Sequence, residues 1–160
     1  MSNEEIDLYR DILEADPTDA RALDELGRLF AEDGRWEDLV ELLERRAELS
    51  IDDEAIVACR ARQAEILETG LGRPDAAVET WVKVLDIDAN HEAAFDALER
   101  LYETTARWVE LASILERRVE RAIDPAARAT IRERLAGICE TRLGDSERAS
   151  EIRKAAVEAQ

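Results

Sequence analysis

The twelve residues "RWEDLVELLERR" (Arg35–Arg46) return 72 positions later as "RWVELASILERR" (Arg107–Arg118). Laid without a gap, residues 22–79 and 94–151 are identical at 26 of 58 positions, more than shared composition would give. The identities include Asp24/Asp96, Leu26/Leu98, Trp36/Trp108, Arg60/Arg132 and Ile66/Ile138, and "YRDILEADP" (Tyr9–Pro17) lies over "WVKVLDIDA" (Trp81–Ala89) at the same offset. A fixed period of this length predicts a solenoid. In such a chain each unit buries its apolar face only against its neighbours.

Each unit reads as two helical pairs. Leu23, Leu26, Leu29 and Phe30 recur at spacings of three and four, which is one face of a helix. Gly34 interrupts, and Trp36, Leu39, Val40, Leu43 and Ala47 form a second stripe. Asp52 and Asp53 suit the start of the next helix, and Pro74 suits a first helical turn. The pattern predicts an all-α chain with helices at 4–15, 19–33, 35–50, 54–69, 74–87, 91–105, 107–122, 126–142 and 146–158. The tryptophans Trp36, Trp81 and Trp108 fall at interior helix positions and are expected in the core.

These residues resemble the tetratricopeptide repeat family, whose first helix carries W-x2-L-G-x2-Y and whose second carries A-x3-F. Leu23, Leu26, Gly27 and Phe30 fit the first helix, and Phe95, Leu98 and Tyr102 fit it with Glu99 in place of Gly. Ala77 and Trp81 fit the second helix, as do Leu39/Leu43 and Leu111/Leu115 with Leu for Ala, and Pro17 takes the closing proline position. The even units, around Arg60–Leu67 and Arg132–Cys139, keep only the small residue. The resemblance implies a right-handed α-solenoid of antiparallel helix pairs. It is expected as one domain over 1–160: a half-repeat helix at 4–15, then repeats at about 19–53, 54–90, 91–125 and 126–160.

Catalytic chemistry finds little support. His91 is the only histidine and stands at a predicted helix start, the place of a surface or capping residue. No Ser, Thr or Cys has a plausible His partner, and "TGLG" has neither the Lys-Ser/Thr nor the preceding strand of a phosphate loop. The expectation is a non-enzyme without cofactor or metal. The net charge of −17 argues against a nucleic-acid or anionic-membrane partner. No stretch approaches the ~20 apolar residues of a membrane span, and "MSNEEIDLYR" is unlike a signal peptide. Cys59 and Cys139 lack metal-site spacing and read as core thiols of a reducing, cytoplasmic compartment. Twenty of the 22 basic residues are Arg, a bias that hints at a GC-rich bacterial genome. Arg45, Arg46, Arg117 and Arg118 of the repeated "LERR" are expected to pair within their helices with Glu three or four residues away.

In the resembled family the first helix of each pair lines a concave face that holds extended peptides. Carried over, that face presents Asp24, Arg28, Glu65, Glu68, Asp96, Arg100, Glu133 and Glu140, with Arg21, Glu32 and Glu103 beside them. Acids dominate it, so the implied function is an interaction module that holds a protein or peptide segment carrying basic residues. The alternative is a structural repeat segment of a larger scaffold, or a self-associating or designed repeat protein, with no peptide ligand. Arg153 and Lys154 stand where the earlier copy has Trp81 and Val82, so the last helix is expected to cap the stack and leave a monomer.

Overall fold

The structure, a computed structural model, describes residues 3–158. Its elements are α1 (Asn3–Ala15), α2 (Ala20–Glu32), α3 (Trp36–Leu49), α4 (Asp53–Thr69), α5 (Pro74–Ile87), α6 (Glu92–Thr104), α7 (Trp108–Arg121), α8 (Pro125–Thr141) and α9 (Ser146–Glu158). There is no strand among the described residues, and every helix ends within one residue of the bounds the periodicity predicts. The chain divides into two compact units, Met1–Asp88 and Ala89–Gln160. The second spans one 72-residue period, and the first holds the preceding period with α1 added.

Local chemistry sets the helix starts. Asp19, Asp52 and Asp124 each accept a hydrogen bond from the amide three residues on, at 2.7, 3.2 and 2.8 Å. His91 does the same for α6, its Nδ1 accepting from the Ala94 amide at 3.2 Å. Each bond satisfies a first-turn donor that has no partner within the helix. Pro74 and Pro125 occupy first turns, where a missing N–H costs nothing.

Packing runs between sequence neighbours. In the first unit Ile6 and Leu13 of α1 join Leu23, Leu26, Leu29 and Phe30 of α2, Leu39 and Leu42 of α3, and Ile66 of α4 in one buried cluster. Further along, Leu67 of α4 and Val78, Trp81, Val84 and Leu85 of α5 are buried, and α4 packs on both α3 and α5. The second unit buries Phe95, Leu98 and Leu101 of α6, Leu111 and Leu115 of α7, and Leu135, Ala136 and Cys139 of α8. In both units the stripes at spacings of three and four face inward as the sequence requires.

Trp36 and Trp108 depart from expectation: Trp81 is fully buried, but these two rings are half-buried. Each is the first residue of its helix. The two rings are covered in different ways. A Cβ added to Gly70 would come within 3.1 Å of the Trp36 ring, so the glycine lets the chain lie against the indole. The equivalent residue in the second unit, Arg142, places its guanidinium 4.6 Å from the Trp108 ring centroid, a cation–π contact.

The turns before α3 and α7 need a residue at positive φ. Gly34 supplies it at +67° in the first unit, but Ala106 must adopt +56° in the second. The hydrogen bonds are otherwise matched: Arg35 donates to the Phe30 carbonyl and Arg107 to the Tyr102 carbonyl, both at 2.8 Å. An alanine pays a steric penalty there that glycine avoids. Ala106→Gly is therefore expected to stabilise the protein by about 1 kcal/mol, seen as a higher urea midpoint. A lower midpoint would show that contacts of the Ala106 methyl outweigh its backbone strain.

Candidate interaction surface

The first helix of each pair projects the residues singled out by sequence. On α2, Asp24 is exposed and meets Arg46 of α3 at 2.7 Å. Arg28 is exposed between Glu25 at 3.0 Å and Glu32 at 2.6 Å. Hydrogen bonds that the Arg28 guanidinium donates to Glu32 first, then to Glu25, raise its pKa. On α4, Glu65 is exposed and pairs with Arg62 at 3.1 Å, while Glu68 is half-buried.

In the second unit, Asp96 of α6 is exposed and meets Arg118 of α7 at 2.9 Å, and Arg100 is exposed. Glu133 and Glu140 of α8 are brought together by Arg153 of α9, at 3.1 and 2.9 Å. Asp24, Glu65 and Asp96 are each held by arginines outside the predicted set, whereas Arg28 is held by Glu25, outside it, and by Glu32, which the sequence places on the same face. Glu133 and Glu140 instead share one arginine on the neighbouring helix.

The "LERR" arginines correct an expectation. Arg46 and Arg118 do not pair within their own helices but cross to the preceding helix, at Asp24 and Asp96. Arg45 likewise reaches back to the Leu13 carbonyl of α1, at 3.4 Å. The cause is position: these side chains leave α3 and α7 on the side that faces the adjacent helix, so a carboxylate there outcompetes the solvent-facing Glu of the same helix.

The second unit also contains a cluster that the sequence reading missed. Glu99 is buried, its side chain 6% exposed, and accepts from Arg118 of α7 at 2.6 Å and from Arg134 of α8. Arg118 also contacts Glu92 at 2.5 Å, and Arg134 contacts Glu103 at 3.1 Å. The Arg118 guanidinium lies 5.6 Å from the Phe95 ring centroid. Burial pushes the Arg118 pKa down, but Glu99, Glu92 and Asp96 more than reverse this, so it stays above its ordinary value. Three helices are tied through one carboxylate. The available signal was a Glu at a motif position normally held by Gly, with Arg118 and Arg134 on the next two helices.

Two isoleucines were also missed. Ile51 and Ile123 occupy equivalent positions in the turns before α4 and α8, and both are almost fully exposed, at 102% and 92%. Their identity in both copies, outside every apolar stripe, was visible in the alignment. Ile123 borders a cavity of about 410 Å³ whose lining includes Glu92, Arg118 and Arg121.

Among the described residues no group of three or more His, Cys, Asp and Glu side chains could hold a metal ion. None of the described helices is long and apolar enough to cross a membrane. Cys59 and Cys139 are buried and unbonded to each other, and desolvation raises both thiol pKa values despite nearby arginines.

A tetratricopeptide repeat family model matches residues 22–55 and 94–129, one stretch in each unit. Two crystal structures of MamA are similar. One is 19% identical, with a TM-score of 0.54, over 96% of this chain and 85% of that one. The other is 18% identical, with a TM-score of 0.54, over 96% and 79%. The crystal structure of BtubC (BKLC) from P. vanneervenii is 17% identical over 98% and 71%, with a TM-score of 0.49. The likeness to MamA is one of fold. No curated protein sequence matches the chain.

Two outcomes test this description. Glu99→Ala is expected to cost about 2 kcal/mol, because it leaves two arginines facing a vacated, largely buried site. Glu103→Ala, which removes an exposed partner, is expected to cost less than about 0.5 kcal/mol. Equal losses in urea melts would mean that burial of Glu99 contributes nothing. For the thiols, native protein at mildly alkaline pH is expected to react with iodoacetamide far more slowly than denatured protein. A thiol pKa raised on folding contributes stability below the unfolded value. That contribution is lost as pH climbs through the folded value. Equal labelling rates in the two states would show that the thiols are accessible.

Proposed function

We propose that each unit of this tetratricopeptide-repeat chain binds a protein segment carrying basic residues, the first unit through the exposed acids of α2 and α4 and the second through those of α6 and α8. The coarser function, a protein-interaction scaffold, follows from the repeats themselves. The observation that carries the finer reading is the repetition of Asp24 and Asp96, exposed at equivalent places on α2 and α6. Glu65, Glu133 and Glu140 extend the acidic character onto α4 and α8.

The internal arginine partners do not oppose this reading. Asp24, Glu65, Asp96, Glu133 and Glu140 all keep roughly half or more of their side-chain surface in water. Exposed pairs of this kind are worth about 0–1 kcal/mol each, so exchanging an internal arginine for one from a ligand costs little. A chain with net charge −17 also attracts a basic segment over distances up to the screening length.

An extended peptide of alternating Lys and Ala is the probe. It is expected to bind the intact protein, with affinity falling as salt rises to physiological levels. The double variant Asp24→Lys/Asp96→Lys is expected to bind at least tenfold more weakly by calorimetry while melting as the native chain does. No binding by the native protein, or unchanged binding by a folded double variant, would remove these helices as the basic-segment site.

A further inference from the structure

The two units answer the same pair of arginines differently. In the second unit, Arg118 and Arg134 are met by four carboxylates: Glu92, Asp96, Glu99 and Glu103. Seventy-two residues earlier both arginines are kept, as Arg46 and Arg62, but the four acids become Ala20, Asp24, Gly27 and Ala31. Only Asp24 survives, paired with Arg46 at 2.7 Å. Arg62 turns instead to Glu65 on its own helix, at 3.1 Å, a residue whose counterpart is Gly137. The first unit keeps both donors and lacks three of the four acceptors.

The space those acceptors would fill is open. A cavity of about 220 Å³ lies among α2, α3 and α4, with Gly27, Leu39 and Leu42 in its lining and Arg46, Arg62 and Asp24 around it. A Cβ added at Gly27 would sit 3.6 and 3.7 Å from the Leu42 and Leu39 side chains, ordinary contact distances. In the second unit the corresponding position carries Glu99, whose carboxylate is buried and bonded to both arginines. The second unit thus displays a filled form of the first unit's cavity.

We propose that this cavity receives a glutamate side chain of a protein partner, held by Arg46 and Arg62 as Glu99 is held by Arg118 and Arg134. The chemistry of recognition is two guanidiniums converging on one carboxylate above apolar walls that accept its methylenes. The competing contacts, Asp24 and Glu65, are solvent-exposed pairs that a better-enclosed carboxylate displaces at little cost. This goes beyond the basic-segment reading and does not depend on it, since it uses a positive site where that reading uses negative ones.

The test uses the full-length, nitrogen-15-labelled protein and N-acetyl-glutamate N-methylamide, with the glutamine analogue at matched ionic strength as control. The Nε–Hε resonances of Arg46 and Arg62 are expected to shift saturably with the glutamate probe and at least tenfold less with glutamine. Gly27→Glu, which supplies the carboxylate from within, is expected to abolish the response while the protein stays folded. Arg62→Gln is expected to abolish it independently, should Gly27→Glu perturb the fold. Equal responses to both probes, no response in the native protein, or an undiminished response in folded Gly27→Glu or Arg62→Gln would each overturn the proposal. A stronger response to N-acetylglycine would assign the site to a chain-end carboxylate and overturn the side-chain assignment. None of these outcomes depends on whether the Lys-Ala peptide binds.

Discussion

Burial of each helix's apolar stripe against the helices next to it in sequence is the constraint on which each unit depends. Leu26 of α2 and Leu98 of α6 occupy the same place in the two units, and each is almost completely removed from water. Such contacts are local along the chain, so each stripe has to be complementary only to what immediately precedes and follows it. A short chain with very few aromatics can then be stable, because small and branched residues at spacings of three and four suffice. The same locality lets residues away from the stripes diverge between the copies without disturbing the core.

That divergence makes the two copies an internal comparison. The backbone solution at the turn is shared by Gly34 and Ala106, though only glycine adopts it without strain. The cover on the first tryptophan of the pair is shared by Gly70 and Arg142, one by close approach and the other by a cation over the ring. Trp81, buried in α5, has Arg153 as its counterpart in α9, where the contact with α8 becomes an ion pair to Glu133 and Glu140. In each pair the geometry is kept while the chemistry changes.

The helices were legible in sequence because their signals are local: spacing for the stripe, Asp or His for the cap, Pro for the first turn. His91 illustrates it, since its place at a helix start already implied the capping bond that its Nδ1 makes. The half-burial of Trp36 and Trp108 was not legible. Periodicity tells which face a residue is on, not whether a neighbouring turn closes over it. The arginine partners were misread for a related reason. Spacing along one helix suggested intrahelical Glu, whereas Arg46 and Arg118 chose carboxylates on another helix. All the candidate acids but the half-buried Glu68 were legible as exposed positions, but sequence did not show that most of them would be engaged internally. Glu99 was noticed as a departure from a motif, yet its burial depends on Arg118 and Arg134 arriving from two other helices.

In a chain with 39 acids and 22 Lys and Arg residues, carboxylates outnumber the cations that can pair with them. Each arginine therefore has a choice of acceptors, which makes its placement informative. Most of those with resolved contacts tie one helix to another, as Arg10 does to Asp38, Arg73 to Glu37 and Arg148 to Glu116. A bridging arginine has its acceptors fixed by two backbones, so removing an acceptor leaves the guanidinium in place with fewer partners. Adding a new arginine to an acidic surface would instead be quenched by the nearest Glu. A positive recess in such a protein is therefore made more readily by deleting acids than by adding bases. Ala20, Gly27 and Ala31, standing where the second unit has Glu92, Glu99 and Glu103 around the same arginine pair, give the first unit a recess of this kind. It leaves the apolar stripes that hold the helices together untouched.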